Sequence, residues 1–213
     1  MMITDDAISR YAEECSSPES PVLRHIHRET FIKTAYPNML SGPLLGGLLR
    51  MISLMQRPRV VLEIGTFTGY SCLCLAEGLA EGGVVHTIER NPEMIAMIRQ
   101  HLEGQGLGTR IILHEGDALE IIPQLPDPID LAFIDAEKEE YIAYYEALMP
   151  KMRKGGIILA DNVLWGGRVV DESIQDKDTR GIRAFNAHVL NDPRSEQVLL
   201  PVRDGLSLIR INH

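Results

Sequence analysis

The feature that most constrains the fold is a run of β-forming residues that leads directly into a turn flanked by two glycines. The run covers residues 60–64, and the turn lies between Gly65 and Gly69. A short apolar run bounded by turn residues is typical of a strand buried on both faces. Small and apolar residues then recur from Ser71 to Leu79 in a pattern typical of a helix. Strand, turn and helix together predict the first unit of a nucleotide-binding α/β sheet.

The glycine spacing and one acidic residue narrow the choice of ligand for this turn. Gly65 and Gly69 form a G-x-x-x-G pattern and lack the third glycine of dinucleotide-binding turns. A helix N-terminus favours a phosphate, but Glu63 at the end of the strand would repel a phosphate and attract a cation. An adenosine cofactor with a cationic amino-acid tail, such as S-adenosylmethionine, satisfies both conditions. The alternative is an ordinary strand–turn–helix unit without a ligand, because a glycine turn alone is a weak signal.

Length and composition predict one globular domain. The chain has 213 residues and 45% hydrophobic content, which suits a sizeable core rather than disorder. We expect one domain over residues 1–213, with a helical N-terminal extension at 1–55 and an α/β core at 56–213. The formal net charge of −9 disfavours a broad polyanion-binding surface, although a local basic patch is compatible with it.

The cysteines and the first residues of the chain indicate the cellular compartment. The cysteines are Cys15, Cys72 and Cys74, an odd number with no disulfide framework and no paired C-x-x-C metal motif. Residues 1–11 lack a signal-peptide core, and no apolar run is long enough to span a bilayer. We therefore expect a cytoplasmic protein that does not associate with a membrane.

Helical and strand patterns alternate along the chain. Helices are predicted at residues 3–14, 22–35 and 44–55, then at 91–104, 139–152 and 179–190. Ser20 and Pro21 would begin the second helix, Pro37 would end it, and Thr179 would cap the last. Beyond the first strand, strands are predicted at 84–89, 111–114, 129–134, 157–160, 198–202 and 206–211. The pair at 155–156, Gly-Gly, would break the helix before the fifth strand.

An acidic residue lies at the carboxyl end of each of the first five predicted strands. These residues are Glu63, Glu89, Asp117, Asp135 and Asp161. The carboxyl ends of strands in an open parallel sheet line the ligand crevice. Five acids there would repel one another unless cations or hydroxyls occupied the site. The alternative for each residue alone is that it caps the following helix.

Chemistry suggests how these acids divide between a cofactor and a metal. Glu89 follows Gly65 at roughly the spacing at which a second-strand acid accepts ribose hydroxyls. Asp117 and Ala118 lie where an adenine edge would rest. Three further residues offer hard oxygen ligands, which select Mg²⁺, Ca²⁺ or Mn²⁺ over Zn²⁺. These are Asp135, Asp161 and Asn162.

Two residues near the predicted metal ligands have two interpretations each. Lys138 follows Asp135 by three residues. It is either a base that accepts the proton of an acceptor hydroxyl or an ion-pair partner of an acid such as Asp135. Trp165 is the only tryptophan and follows the last two metal candidates. It is either a wall for a flat substrate or a local hydrophobic anchor.

At these residues the chain resembles the cation-dependent class I S-adenosylmethionine O-methyltransferases of the caffeoyl-CoA and catechol O-methyltransferase type. The matching segments extend from about residue 39 to the end and include EIGTFTGYS at 63–71, GDA at 116–118, IDAEKEEY at 134–141, DNVLWGG at 161–167 and DGL at 204–206. The resemblance implies an α/β fold with a Rossmann-like methyltransferase sheet of seven strands. Its last strand would be antiparallel, with helices on both faces.

The resemblance also implies a site. Lys138 would be the catalytic base, and Trp165 would contact the acceptor. Asp135, Asp161 and Asn162 would bind a divalent cation, first Mg²⁺ and alternatively Mn²⁺ or Ca²⁺. The residues expected to hold S-adenosylmethionine are Ser41, Glu63, Gly65, Thr66, Ser71, Glu89, Asp117, Ala118 and Asp135. Members of the family are commonly homodimers, so a homodimer is expected here.

The expected acceptor is a small catechol-like aromatic or another aromatic with vicinal oxygens. A bacterial branch of similar proteins methylates 5-hydroxyuridine in tRNA, and this alternative stays open because the helix at 22–35 carries a basic stretch. That stretch contains Arg24, His25, His27, Arg28 and Lys33. A third hypothesis is a cofactor-binding protein without chemistry. The family often shows Gly-Gln where this chain has Gly46-Gly47, and the 168–178 loop matches nothing that identifies the acceptor.

Overall fold

A single seven-stranded sheet organises the computed structural model, which describes residues 6–103 and 110–212. The strands lie in the order β3-β2-β1-β4-β5-β7-β6. Their bounds are β1 (Val60–Ile64), β2 (Val84–Glu89), β3 (Ile111–Glu115), β4 (Ile129–Ile134), β5 (Met152–Asp161), β6 (Ser195–Leu200) and β7 (Leu206–Ile211). Strands β1 to β5 pair in parallel, and β7 is antiparallel to both of its neighbours. The predicted fold class, with its antiparallel last strand, is confirmed.

Among the described residues, three α-helices precede the sheet, as the predicted fold class implies. They are α1 (Asp6–Glu14), α2 (Pro21–Lys33) and α3 (Gly42–Gln56). The predicted start of the first helix at residue 3 lies outside the described residues. The later helices are α4 (Tyr70–Ala76), α5 (Pro92–Leu102), α6 (Ala118–Ile121), α7 (Tyr141–Leu148) and α8 (Lys177–Leu190). None of the helices in the described ranges has the length and apolar content to cross a membrane.

Local capping explains where several helices begin. The Ser20 hydroxyl accepts a hydrogen bond from the Leu23 amide at 3.3 Å, and Pro21 is the first helical residue of α2. Asn91 caps α5 in the same way, and Pro92 follows it. For α8 the predicted cap was wrong. The Asp176 side chain is the cap and accepts a hydrogen bond from the Thr179 amide at 3.0 Å.

Two other predicted boundaries were wrong. Helix α2 ends at Lys33, and Pro37 begins a short 3₁₀ turn instead of ending the helix. The glycine pair at 155–156 lies inside β5, after α7 has ended at Leu148. Gly155 has φ +72°, and the β4–β5 register shifts beside it, so the pair forms an irregularity in the strand.

Two hydrophobic clusters cover the two faces of the sheet. Alternate residues of β1 point to opposite faces, with Val61 in one cluster and Leu62 in the other. Helices α2 to α5 pack on the Val61 side, and α6 to α8 pack on the Leu62 side. Cys72 and Cys74 are free and fully buried on the Val61 side. A parallel sheet buried on both faces leaves the strand ends as the natural place for a ligand.

The two glycines of α3 provide a matched test of helix packing. A Cβ at Gly46 would lie 2.6 Å from the Tyr70 ring and 3.0 Å from Cys74 Sγ, whereas a Cβ at Gly47 would meet nothing within 4 Å. We expect Gly46→Ala to lower the free energy of unfolding by about 1–3 kcal/mol, because the added methyl overpacks the contact between α3 and α4. Gly47→Ala should raise it by about 0.5–1 kcal/mol through helix propensity. Equal effects in urea unfolding would contradict this account of the packing.

Candidate active site

The predicted acids lie in one row along the carboxyl edge of the sheet. In the order of the strands they are Asp117, Glu89, Glu63, Asp135 and Asp161. Glu89 and Asp161 are the last residues of β2 and β5, and Asp135 follows β4 directly. Glu63 lies within β1, one residue before its end. The parallel topology therefore gathers acids that are far apart in the sequence.

The glycine turn is shaped by the neighbouring end of β4. Gly65 has φ +96°, and a Cβ on it would lie 2.0 Å from the carbonyl oxygen of Asp135. No other residue fits there, since the added atom would collide with backbone. The Gly65 amide also donates to the Ile88 carbonyl at 3.0 Å, which extends the ladder between β1 and β2. Gly65 is thus required by a close approach of two chain segments that carry predicted site residues.

Glu63 is held in the sheet by a chain of buried hydroxyls. It is 0% exposed and lies opposite Thr87 in the β1–β2 register. The Thr87 hydroxyl donates to Glu63 Oε2 and is hydrogen-bonded to the hydroxyl of Thr66. Glu63 Oε1 is buried and has no hydrogen-bond partner among the described residues. A buried carboxylate oxygen without a partner is unfavourable, so this atom fits a cationic donor from a ligand.

The raised pKa of Glu63 also indicates a site for a positively charged ligand group. Burial raises its pKa to about 8, and the charges of Asp135 and Glu89 act in the same direction. The hydroxyls of Ser71 and Thr87 oppose this shift. Ser71 lies in the first turn of α4 and is buried. A positively charged ligand group would relieve both the burial and the repulsion.

Glu89 fastens the glycine turn to the end of β2. Its Oε2 accepts a hydrogen bond from the Phe67 amide and its Oε1 accepts one from the Asn91 amide, both at 2.8 Å. Phe67 has φ +52°, an uncommon backbone conformation that this contact helps to hold. Each carboxylate oxygen can accept a further hydrogen bond. Glu89 is therefore close to the turn and retains acceptor capacity for a ligand.

The remaining predicted cofactor residues lie at helix starts. Asp117 caps α6, where its side chain accepts from the Leu119 amide at 2.7 Å, so the capping alternative applies to this acid. Ala118 is the first residue of α6 and is 6% exposed. Ser41 directly precedes α3 and makes no capping hydrogen bond with its side chain. No hydrogen bond joins Ser41 or Asp117 to Glu63 among the described residues.

The predicted metal ligands are brought together at the ends of β4 and β5. Asp161 is 4% exposed. Burial raises its pKa to about 7, and the negative charge of Asp135 adds to the shift. The Asn162 amide donates to Asp161 Oδ1 at 2.8 Å, and Asn162 has φ +60°. Two carboxylates that repel each other, followed in the chain by an asparagine, offer oxygen donors of the kind that a hard divalent cation prefers.

Lys138 lies against these acids. Its Nζ donates to Asp135 Oδ1 at 3.0 Å and to Tyr141 Oη at 2.8 Å. The Tyr141 hydroxyl donates in turn to the backbone carbonyl of Asp161 at 3.0 Å. Burial lowers the pKa of Lys138, but Tyr141 and Asp135 outweigh that effect and raise it well above its usual value. The predicted ion pair with Asp135 is therefore present in this arrangement.

The loop after β5 brings Trp165 to the same place. Trp165 has φ +47°, and Lys138 Nζ lies 5.7 Å from the centre of its ring. The Trp165 Nε1 is buried without a hydrogen-bond partner in the described parts of the chain. The hairpin between β6 and β7 supports this loop, because Asp204 accepts hydrogen bonds from the Leu164 and Gly166 amides.

Sequence reasoning assigned no role to three residues that organise this site. Thr87 carries no local signal, because it acts on a residue of another strand. Asp204 belongs to the matching segment at 204–206, but the resemblance gave it no role. Tyr141 does carry one, since it follows Lys138 by three residues at the start of a helix, a spacing at which side chains meet.

A second cluster of possible metal ligands lies away from the strand ends. Glu146, His188 and Asp192 place ligand atoms within 4.8 Å of one another. Arg194 Nη2 donates to both carboxylates at 2.6 Å, and His188 Nε2 lies 2.7 Å from Glu146. The guanidinium already compensates the negative charge, so this cluster is an ion-pair network.

The sequence of this chain is similar to those of known O-methyltransferases. The family model for O-methyltransferases matches residues 13–212. A catechol O-methyltransferase from Niastella koreensis is 33% identical over 155 residues, which cover 71% of this chain and 70% of that enzyme. Caffeoyl-CoA O-methyltransferase 2 from Populus trichocarpa is 32% identical over 222 residues, covering 98% and 90%. Tricin synthase 2 from Oryza sativa is 35% identical over 82% of this chain, and the match spans 64% of that enzyme.

Solved structures give the same result. An O-methyltransferase from Bacillus cereus, crystallised in complex with SAH, superposes with a TM-score of 0.86 at 30% identity over 97% of each chain. The sheet order, the row of acids and the family match all indicate the same family. This chain therefore belongs to the S-adenosylmethionine-dependent O-methyltransferases of the caffeoyl-CoA and catechol type.

Proposed function

We propose that the protein transfers a methyl group from S-adenosylmethionine to one of two vicinal oxygens on a small aromatic acceptor, with the help of a divalent cation. The observation that carries this proposal is the buried Asp161 carboxylate beside Asp135, with Lys138 hydrogen-bonded to Asp135. The catechol O-methyltransferase from Niastella koreensis supports the choice of acceptor by its name.

The cofactor would lie along the glycine turn. The unpartnered Glu63 Oε1 would accept from the cationic ammonium of the amino-acid tail. Glu89, at the end of the next strand, would accept the ribose hydroxyls with its remaining lone pairs. Thr66 would act through its backbone, because its hydroxyl is taken up by Thr87. Ser41, Ser71, Asp117 and Ala118 would complete the pocket together with Gly65 and Asp135.

Asp135, Asp161 and Asn162 would hold the cation, Mg²⁺ first and Mn²⁺ or Ca²⁺ as alternatives. When bound, such an ion fixes neighbouring acceptor oxygens and lowers the pKa of an acceptor hydroxyl. Lys138 is an ammonium in its ion pair with Asp135, and positive charge held by Asp135 would lower its pKa, so that the neutral amine could accept the proton of that hydroxyl. The Trp165 ring would form a wall for the aromatic acceptor, and its unpartnered Nε1 would donate to a polar group on it. Correct placement of oxygen, methyl group and departing sulfur would supply much of the rate.

The ammonium contact at Glu63 makes a testable prediction about protons. A carboxyl group whose pKa is raised to about 8 is mostly protonated at pH 7, and a neighbouring cation favours its ionised form. We expect S-adenosylmethionine binding at pH 7 to release about one proton, measured by calorimetry in buffers of different ionisation enthalpy. Glu63→Gln should abolish the release. Glu89→Gln, as the control, should weaken binding but keep the release, and an unchanged release in Glu63→Gln would exclude this role for Glu63.

The contacts of the basic stretch in α2 weaken the tRNA alternative. Arg24 donates to the Glu19 carbonyl at 2.8 Å, and His27 Nδ1 lies 3.2 Å from a Glu19 carboxylate oxygen. Lys33 pairs with Glu29 on the same helix. Part of the basic stretch is thus compensated within the chain, which favours a small acceptor.

An acceptor panel tests the proposal. Purified protein with S-adenosylmethionine and Mg²⁺ should methylate catechol and related vicinal diols, leave phenols with a single hydroxyl unmodified, and leave bulk tRNA unmodified. Equal rates on catechol and on single-hydroxyl phenols would reject the vicinal-oxygen requirement. Transfer to tRNA alone would replace the small acceptor with the tRNA alternative.

We also propose a homodimer. Helices α1 and α3 pack together and expose large apolar side chains. Their exposures are 60% for Ile8, 69% for Tyr11, 52% for Met51 and 72% for Met55. A second copy would remove this surface from water. Light scattering at micromolar concentration should give twice the chain mass of 23.8 kDa. A monomer would contradict the proposal.

A further inference from the structure

We propose that Tyr141 is a positioning residue that fixes the Lys138 amine relative to the two carboxylates of the site. The inference rests on the proposed function in one respect, since that function gives Lys138 its role as the base. It adds a residue to which neither the sequence analysis nor the proposed mechanism gives a part.

The polarity of the Tyr141 hydrogen bonds is fixed. A phenol hydroxyl has one proton to donate. That proton goes to the Asp161 carbonyl at 3.0 Å, and the Ile134 carbonyl lies farther away at 3.5 Å. A carbonyl only accepts, so Tyr141 Oη is left to accept from Lys138 Nζ at 2.8 Å. The hydroxyl therefore links the amine to the backbone of β5, directly beside the Asp161 carboxylate.

Two hydrogen bonds hold the Lys138 amine. The bond to Asp135 Oδ1, at 3.0 Å, joins two charged groups. The bond to Tyr141 Oη joins the amine to a neutral hydroxyl that is itself hydrogen-bonded to the backbone of β5. Among the described residues, Tyr141 is the neutral hydrogen-bond partner of Lys138 Nζ. Without the Tyr141 hydroxyl, Asp135 would be the remaining hydrogen-bond partner of the amine among these residues.

Packing holds Tyr141 and the Lys138 turn in place. Tyr141 is 0% exposed, and its ring meets the Phe185 ring edge-on with the centres 5.3 Å apart. Helix α8 also packs closely against the backbone of the turn that contains Lys138. A Cβ at Gly181 would lie 2.8 Å from the Lys138 carbonyl oxygen and 3.1 Å from Glu139 Cα. The Lys138 side chain is therefore fixed at both ends: α8 packs against its backbone, and the Tyr141 hydroxyl binds its amine.

Tyr145 supplies a matched control one turn along α7. It is also 0% exposed and meets the Phe185 ring edge-on, at 6.3 Å. Its hydroxyl is hydrogen-bonded to Asp192 at 2.9 Å and to Ser195, the first residue of β6, at 3.0 Å, and not to the site residues at the carboxyl ends of β4 and β5. Tyr145→Phe therefore removes a buried, hydrogen-bonded hydroxyl from the same helix without touching the site.

Kinetics of the two phenylalanine variants separate positioning from stability. Tyr141→Phe should lower kcat at least tenfold with the KM for S-adenosylmethionine changed less than twofold, whereas Tyr145→Phe should leave both constants unchanged. In a Lys138→Ala background, adding Tyr141→Phe should lower kcat no further, because the hydroxyl acts through the amine. Equal kinetics of the two phenylalanine variants, or a full additional loss in the double variant, would overturn the proposal.

Covalent labelling tests the same inference without any turnover. Lys138 has a side-chain exposure of 9%, so a water-soluble amine reagent should modify it slowly. Quantified by mass spectrometry, labelling of Lys138 should rise severalfold in Tyr141→Phe and stay at the wild-type level in Tyr145→Phe. Gly181→Ala, which keeps the hydroxyl but displaces the turn, should also raise it.

The two readouts distinguish failure of the inference from failure of the proposed function. Unchanged labelling in Tyr141→Phe would overturn the positioning role whatever the acceptor is. Raised labelling in a protein that methylates no vicinal diol would keep the positioning role and reject the proposed acceptor.

Discussion

Replacing Lys138 with alanine is expected to slow methyl transfer by about 10²–10⁴-fold, the usual loss when a general base is removed. The amine lies in hydrogen-bond contact with Asp135 and Tyr141, at the point where the predicted metal ligands converge. Removing it should leave binding of cofactor and acceptor largely intact and slow the chemical step. Single-turnover rates with saturating S-adenosylmethionine measure that step. Raising the pH should partly restore the variant, because the acceptor hydroxyl can then ionise to solvent.

A second lysine controls for the loss of a positive charge. Lys177 is at the start of α8, with 76% of its side chain exposed and its Nζ 3.9 Å from Glu139. Lys177→Ala should be as active as the wild type. Full activity of Lys138→Ala would instead leave Lys138 as the ion-pair partner of Asp135 and give the role of base to solvent.

Replacing Asp161 with alanine is expected to abolish turnover, with a loss on the order of 10³-fold or more, because a cation that stabilises the transition state contributes several kcal/mol. Asp161 is 4% exposed and is one of the three residues proposed to hold that cation. A hard cation with few protein ligands cannot be held after one carboxylate is lost. S-adenosylmethionine should still bind, since Glu63 and Glu89 are unchanged. Calorimetry for the cofactor and methyl-transfer rates would be measured on the same variant.

Asp192→Ala is the matched control for Asp161→Ala. Asp192 belongs to the other carboxylate cluster, in which Arg194 supplies the compensating charge. This variant should keep its activity even if its stability falls. Loss of cation dependence in Asp192→Ala, together with an active Asp161→Ala, would move the metal site to the cluster of Glu146, His188 and Asp192.

Much of the fold was predictable because its signals are local. The run at 60–64, the G-x-x-x-G turn and the Asn91-Pro92 helix start each depend on residues that are adjacent in the sequence. The row of acids was predictable for a different reason. Parallel strands place their carboxyl ends at one edge, so one acid at each end is enough to predict a charged crevice.

The wrong predictions have a common cause: the same residue type occurs in two kinds of local structure. A Gly-Gly pair usually ends a helix, but the pair at 155–156 serves an irregularity inside β5. Thr179 has the character of a helix cap, yet Asp176 lies three residues earlier and a carboxylate is the stronger acceptor. Which local structure forms depends on the path of the backbone, and the residue pattern alone does not determine that path.

The contacts that complete the site were not predictable from spacing. The hydroxyl chain from Thr66 through Thr87 to Glu63 joins two strands whose register is set by the whole sheet. The hydrogen bond by which Asp204 supports the Trp165 loop joins residues that are 38 apart in the sequence. Long-range packing determines these contacts, so no local pattern in the sequence predicted them.

Methyl transfer to catechol in the presence of excess chelator decides whether the reaction requires a divalent cation, the ion that Asp135, Asp161 and Asn162 are proposed to hold. The wild-type protein would be assayed with saturating S-adenosylmethionine, with chelator alone and then with Mg²⁺ or Mn²⁺ added in excess, while calorimetry follows cofactor binding. The account predicts that the chelated protein binds the cofactor but transfers no methyl group, and that either ion restores transfer. Undiminished transfer in excess chelator would contradict it.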